Sequence, residues 1–75
     1  MLYYKIDVLQ ELKNKGYNQN YIRKNSLLSQ GTITQLRNNE IVGSKTINTI
    51  CLLLRCQPGD IIGCTATDDE KIKYF

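Results

Sequence analysis

Along the first four-fifths of the chain, apolar residues recur at spacings of three and four, the period of helices that bury one face. Ile6, Val8, Leu9 and Leu12 predict a first helix from about Lys5 to Lys15, with Gly16 placed to end it in the left-handed conformation. Lys13 and Lys15 near its C-terminus suit the helix dipole. Asn18 is the N-cap candidate for a second helix, Gln19 to about Asn25, that buries Tyr21 and Ile22 and exposes Arg23 and Lys24. Ser26-Leu27-Leu28 follows as a turn with inward leucines. A third helix begins after Ser29 and ends at Asn38-Asn39, since asparagine tolerates a left-handed C-cap. Glu40–Gly43 reads as a connector. Ser44 is expected to cap a fourth helix, Lys45 to about Arg55, whose Ile47, Ile50, Cys51, Leu53 and Leu54 form a wide stripe for the centre of the core. Pro58 at a first helical position and Asp60 in the first turn mark a short fifth helix, with Ile61 and Ile62 closing the core.

The two ends follow different patterns. Met1-Leu2-Tyr3-Tyr4 reads either as a short strand or as the lead-in to the first helix. Residues 64–75 change composition: Asp68-Asp69-Glu70 is an acidic cluster, and Lys71–Phe75 partly alternates, as a strand does. That tail is a candidate to pair with Leu2-Tyr3-Tyr4, in the same chain or a partner's, and a frayed end is the alternative. The expected organisation is therefore a folded domain over 1–63 and a tail over 64–75 that serves as a strand or a dimerisation segment. The chain holds 75 residues, a length that fits one domain with a modest core.

The third helix has two unlike faces. Ile33 and Leu36, three apart, share the side that must be buried. Gly31, Thr34, Gln35 and Asn38 fall opposite, with Gln30 and Arg37 on the flanks, because each residue turns the helix by roughly 100°. Ser29 is a good N-cap. The outer side carries no carboxylate. Its amides, hydroxyl and guanidinium suit an acidic, hydrogen-bonding surface, and the major groove of DNA is one.

Charge sharpens this picture. The net charge is only +3, but Lys13, Lys15, Arg23, Lys24, Arg37 and Lys45 face a single anion, Glu40, between positions 13 and 45. A basic middle around a polar helix is what phosphate contact needs. A solvated surface is the plainer alternative. There is no histidine, and Cys51, Cys56 and Cys64 form neither a disulfide framework nor a zinc-binding pair. A reduced, cytoplasmic setting is the expectation, with no metal and no cofactor. No apolar run reaches membrane-spanning length, and Met1 does not open a signal peptide. No small-molecule ligand is indicated. An enzyme is disfavoured: there is no histidine for proton transfer, no carboxylate pair set to flank a cleft, and no base beside a cysteine.

Asn18 to Asn39 followed by Ser44 to Ile62 resembles the Cro/cI-type (XRE-like) helix-turn-helix family of phage and bacterial regulators. Ser29-Gln30-Gly31-Thr32-Ile33-Thr34-Gln35-Leu36-Arg37-Asn38 is similar to that family's recognition helix and its ending. Cys56-Gln57-Pro58-Gly59-Asp60-Ile61-Ile62 looks like the start of the fifth helix in a small-repressor subgroup. The resemblance implies an all-α, five-helix, lambda-repressor-like fold, with room for short terminal strands. One departure is visible: Ser26-Leu27-Leu28 stands where the family usually has a glycine, in a turn about one residue longer.

In such proteins the third helix lies in the major groove with its N-terminal residues at the base edges. The resemblance thus implies base contacts from Gln30, Gly31, Thr34 and Gln35. Glutamine can pair with the N6 and N7 edge of adenine, and threonine can meet the thymine methyl. It implies phosphate contacts from Asn18, Gln19, Arg37, Asn38, Asn39, Ser44 and Lys45, several of them at helix starts where free amides favour an anion. Gly31 admits two readings: close approach of backbone to DNA, or drift at a position of no consequence. The expected function is a sequence-specific regulator of transcription, a repressor, bound to double-stranded DNA as a homodimer. The rival is an interaction module of the same fold, antirepressor or antitoxin in kind, with little DNA binding.

Overall fold

A computed structural model describes residues 1–75. The elements run β1 (Leu2–Tyr4), α1 (Val8–Asn14), α2 (Gln19–Lys24), α3 (Gln30–Arg37), α4 (Ser44–Leu54), α5 (Pro58–Ile61), β2 (Ile62–Cys64) and α6 (Asp68–Tyr74). The five expected helices are present, and a sixth follows them. No helix is long and apolar enough to cross a membrane.

Eleven aliphatic side chains form the core, and no polar residue is buried with them. Leu12, Ile22, Ile33, Ile50 and Ile61 are the fully enclosed members, one from each of the first five helices. Each such side chain contributes about 1.5–3 kcal/mol by leaving water. Helices this short are unstable alone, so this shared burial holds them in place. α1 packs on α3 and α4, and α5 packs on α4.

The first four helices end in one way. Backbone N–H groups at Tyr17, Leu27, Glu40 and Cys56 donate to the carbonyls of Leu12, Ile22, Gln35 and Cys51, five residues back. Each loop needs one residue with positive φ just before the donor: Gly16 (94°), Ser26 (52°), Asn39 (59°) and Arg55 (54°). Ser26 therefore adopts the left-handed conformation for which glycine is the usual residue. The turn after α2 thus closes as the other three do, with serine in place of glycine.

Several expectations need correction. α1 starts at Val8, not near Lys5, because the Asp7 carboxylate accepts the Gln10 N–H at 3.2 Å and caps it there. Tyr21 is 46% exposed; in a helix of six residues Ile22 takes the single inward position. The Tyr21 ring instead meets Tyr17 edge-on, with centroids 5.6 Å apart. Ser44 does not cap α4. It is the first helical residue, Gly43 is the N-cap, and no side chain caps that end.

The tail is a helix rather than a strand. Thr67 Oγ1 accepts the Glu70 N–H at 3.2 Å, and Glu70 Oε1 accepts the Thr67 N–H at 3.0 Å. This reciprocal pair, with acids in the first turn, outweighs the weak alternation of Ile72 and Tyr74. The hydrogen bond from the Thr67 backbone and the contact with the N-terminal amine hold the Glu70 carboxyl below its ordinary pKa. The strand partner of β1 is β2, antiparallel, with Leu2 opposite Cys64, Tyr3 opposite Gly63 and Tyr4 opposite Ile62.

Candidate nucleic-acid interface

α3 is anchored by Ile33 and Leu36, 0% and 6% exposed. Ser29 Oγ accepts the Thr32 N–H at 3.1 Å and donates to Thr32 Oγ1 at 2.9 Å, so the expected cap is made. With the inner side held, Gln30, Gly31, Thr34, Gln35, Arg37 and Asn38 are all exposed. Thr34 Oγ1 donates to the Gln30 carbonyl at 3.0 Å. Its proton is thus used inside the helix, and what remains outward is a methyl group and acceptor lone pairs. Gln30 and Gln35 keep both a donor and an acceptor facing solvent.

The other expected residues form two groups beside α3. The first lies at the start of α2. Arg37 Nη2 donates to Gln19 Oε1 at 3.2 Å, joining the last turn of α3 to the first residue of α2. Asn18 is exposed, and its Oδ1 accepts the Tyr21 N–H at 2.8 Å. Asn18 and Gln19 also line a polar cleft of about 280 Å³ with Asp7, Leu9, Gln10 and Lys13. Lys13, one of the cations expected around α3, and Gln10 stand in this cleft through the fold. They reach it from α1, and no local pattern in the sequence records that approach.

The second group lies where α3 gives way to α4. Asn38 and Asn39 are exposed on one side of the connector, and Ser44 and Lys45 on the other. Because α4 has no side-chain cap, its first amides are left for an outside acceptor. Tyr4 sets the shape of the connector. Its hydroxyl donates to the Glu40 carbonyl at 2.6 Å and accepts the Val42 N–H at 3.2 Å. Burial pushes its pKa above the ordinary tyrosine value, against the hydrogen bond from Val42. In the sequence Tyr4 stands among the apolar and aromatic residues of the N-terminus, with no mark of this contact.

No carboxylate lies on the outer side of α3, and the six cations between Lys13 and Lys45 are all exposed. The arrangement offers hydrogen-bonding amides in the middle and cations and free helix amides on both flanks. Such a surface can hold a polyanion and read the pattern of groups between its phosphates.

No curated protein and no solved structure matches the chain. A family model does, over residues 7–67, and it takes in every element from α1 to β2. Its span contains the α2–turn–α3 unit whose exposed side was built up above. The chain belongs to the Cro/C1-type helix-turn-helix DNA-binding family.

Proposed function

We propose that this chain is a sequence-specific repressor of transcription that binds double-stranded DNA as a homodimer, with α3 in the major groove. The observation that carries the reading is the carboxylate-free outer side of α3, held at a fixed angle by Ile33 and Leu36. On this reading Gln30 and Gln35 pair with base edges, each worth about 1–3 kcal/mol of discrimination. Thr34 presents its methyl to thymine. Gly31 lets the backbone come close to the bases. Phosphates on one strand meet Asn18, Gln19 and Arg37. Those on the other meet Asn38, Asn39, Ser44 and Lys45. Repression accords with simple occupancy, since a domain seated in the groove excludes other proteins from it. One unit touches few bases, and pairing two units on half-sites about 34 Å apart gives useful affinity. The three free thiols accord with a reducing cytoplasm.

Selection from a random duplex pool tests this directly. The expected result is a paired motif with a fixed spacing. Gel shifts on the selected duplex then lose affinity steeply with salt. Gln30→Ala with Gln35→Ala abolishes the sequence preference and leaves the salt-dependent background. A pool with no enriched sequence, or binding indifferent to salt, refutes the reading. Activity in cells that survives both substitutions favours the rival, an interaction module.

A further inference from the structure

A wide concavity of the molecule lies away from α3. It is a groove of about 790 Å³ along α4 and α5, walled by Leu2, Ile41, Ile47, Leu52, Pro58 and Ile62. No residue of α3 lines it, and among its lining residues Arg55 is the single charged one. Leu52 stands in it 70% exposed. An apolar recess of this size on so small a chain calls for an occupant.

α6 has the complementary deficit. It buries none of its residues, and Ile72, Tyr74 and Phe75 are 84%, 72% and 88% exposed. A helix of seven residues is unstable in water without packing. It packs closely on no other element, and the whole chain measures 46 × 23 × 19 Å. Helical spacing puts Asp68, Asp69, Ile72 and Phe75 on one side. That side pairs two large apolar groups with two acids, and the groove pairs an apolar wall with one cation. Within its own chain α6 is held elsewhere: the Met1 amine pairs with Glu70 at 3.2 Å, and the Thr65 N–H donates to the Met1 carbonyl at 2.9 Å.

We propose that the α4–α5 groove receives α6 of a second copy of this chain, and that the exchange is reciprocal. Ile72 and Phe75 fill the apolar recess, and Asp68 and Asp69 meet Arg55. The two contacts are equivalent by two-fold symmetry, as a closed homodimer requires. α3 lines no part of the groove, so both recognition helices stay free; Ser44, given above to a phosphate, is the one DNA-contact residue among the lining. This deepens the homodimer reading above and rests on it.

The test is sedimentation equilibrium of the full chain without DNA, across a thousandfold range of concentration. The wild type is expected to be a dimer that dissociates on dilution. Leu52→Asp and Ile72→Asp each replace an exposed side chain, so the monomer keeps its fold, checked by circular dichroism. Each is expected to weaken the dimer at least tenfold, since a charge is then placed in an apolar contact. Mixing the two variants is the decisive step. The Ile72→Asp chain has a sound groove and the Leu52→Asp chain a sound α6, so the mixture is expected to form a heterodimer tighter than either variant alone. A wild type that stays monomeric overturns the proposal, whether or not its groove binds a hydrophobic dye or another protein. So does either variant dimerising as the wild type does, or a mixture no tighter than its parts. The failures are separable: loss of DNA binding leaves the sedimentation result untouched, a wild-type dimer indifferent to both substitutions refutes the docking alone, and a monomer that still selects one sequence refutes the docking and the homodimer but not the DNA contact.

Discussion

Gly31→Ala sets the needs of the free protein against those of the complex. Gly31 is the second residue of α3, and a Cβ built there meets only the Ser29 Oγ, at 3.9 Å, which is ordinary contact. Its φ is not positive, so no backbone demand for glycine exists. In a helix, alanine is favoured over glycine by about 0.5–1 kcal/mol. Close to the helix start the lower figure applies, and about 0.5 kcal/mol raises the midpoint of a domain this size by roughly 2–4 °C. The chain therefore carries a residue that its own stability argues against. If the backbone at this point lies against base edges, the added methyl occupies that space. Overpacking of this kind costs about 1–3 kcal/mol, a loss in affinity of roughly 5- to 150-fold. Thermal melts of the free protein and titration of a labelled duplex read the two effects separately. The expected result is a higher melting point with weaker, still salt-dependent DNA binding. A higher melting point with unchanged affinity refutes the close approach. A lower melting point refutes the account of α3 itself.

Two further perturbations test the frame around α3. Tyr4→Phe removes the donor to Glu40 and the acceptor for Val42. It is expected to cost about 1–3 kcal/mol by chemical denaturation and to speed amide exchange at Val42, because a partly buried N–H loses its partner. Ser26→Gly relieves a left-handed serine at φ 52° and is expected to stabilise the fold by about 1 kcal/mol without altering DNA affinity. A neutral or destabilising result there contradicts the assigned turn.

Much of this protein follows from spacing alone. Ile33 and Leu36 can be buried together only if Gln30, Thr34 and Gln35 point away, so the outer side of α3 is a consequence of helical geometry. Ser29 and Asn18 cap because their side-chain oxygens sit one turn from free amides. Pro58 starts α5 because its ring presets φ. The tail was legible too, but through its Thr67–Glu70 pair and not through the alternation that suggested a strand. Local chemistry of this kind needs only neighbours along the chain.

Other features depend on approach between distant segments. Tyr4 holds a connector 36 and 38 residues away, and nothing beside it in sequence marks that role. Lys13 joins the cleft at the start of α2 from a different helix, an approach that no local pattern marks. Ser26 takes the conformation of a glycine because core burial of Ile22 and Leu28 on either side outweighs the strain of one residue. Spacing along the chain decided which residues of α3 face outward, whereas the exposure of Tyr21 depended on the fold. Tertiary packing decided which outward residues stand together, because that depends on contacts whose free energy is shared across the whole core.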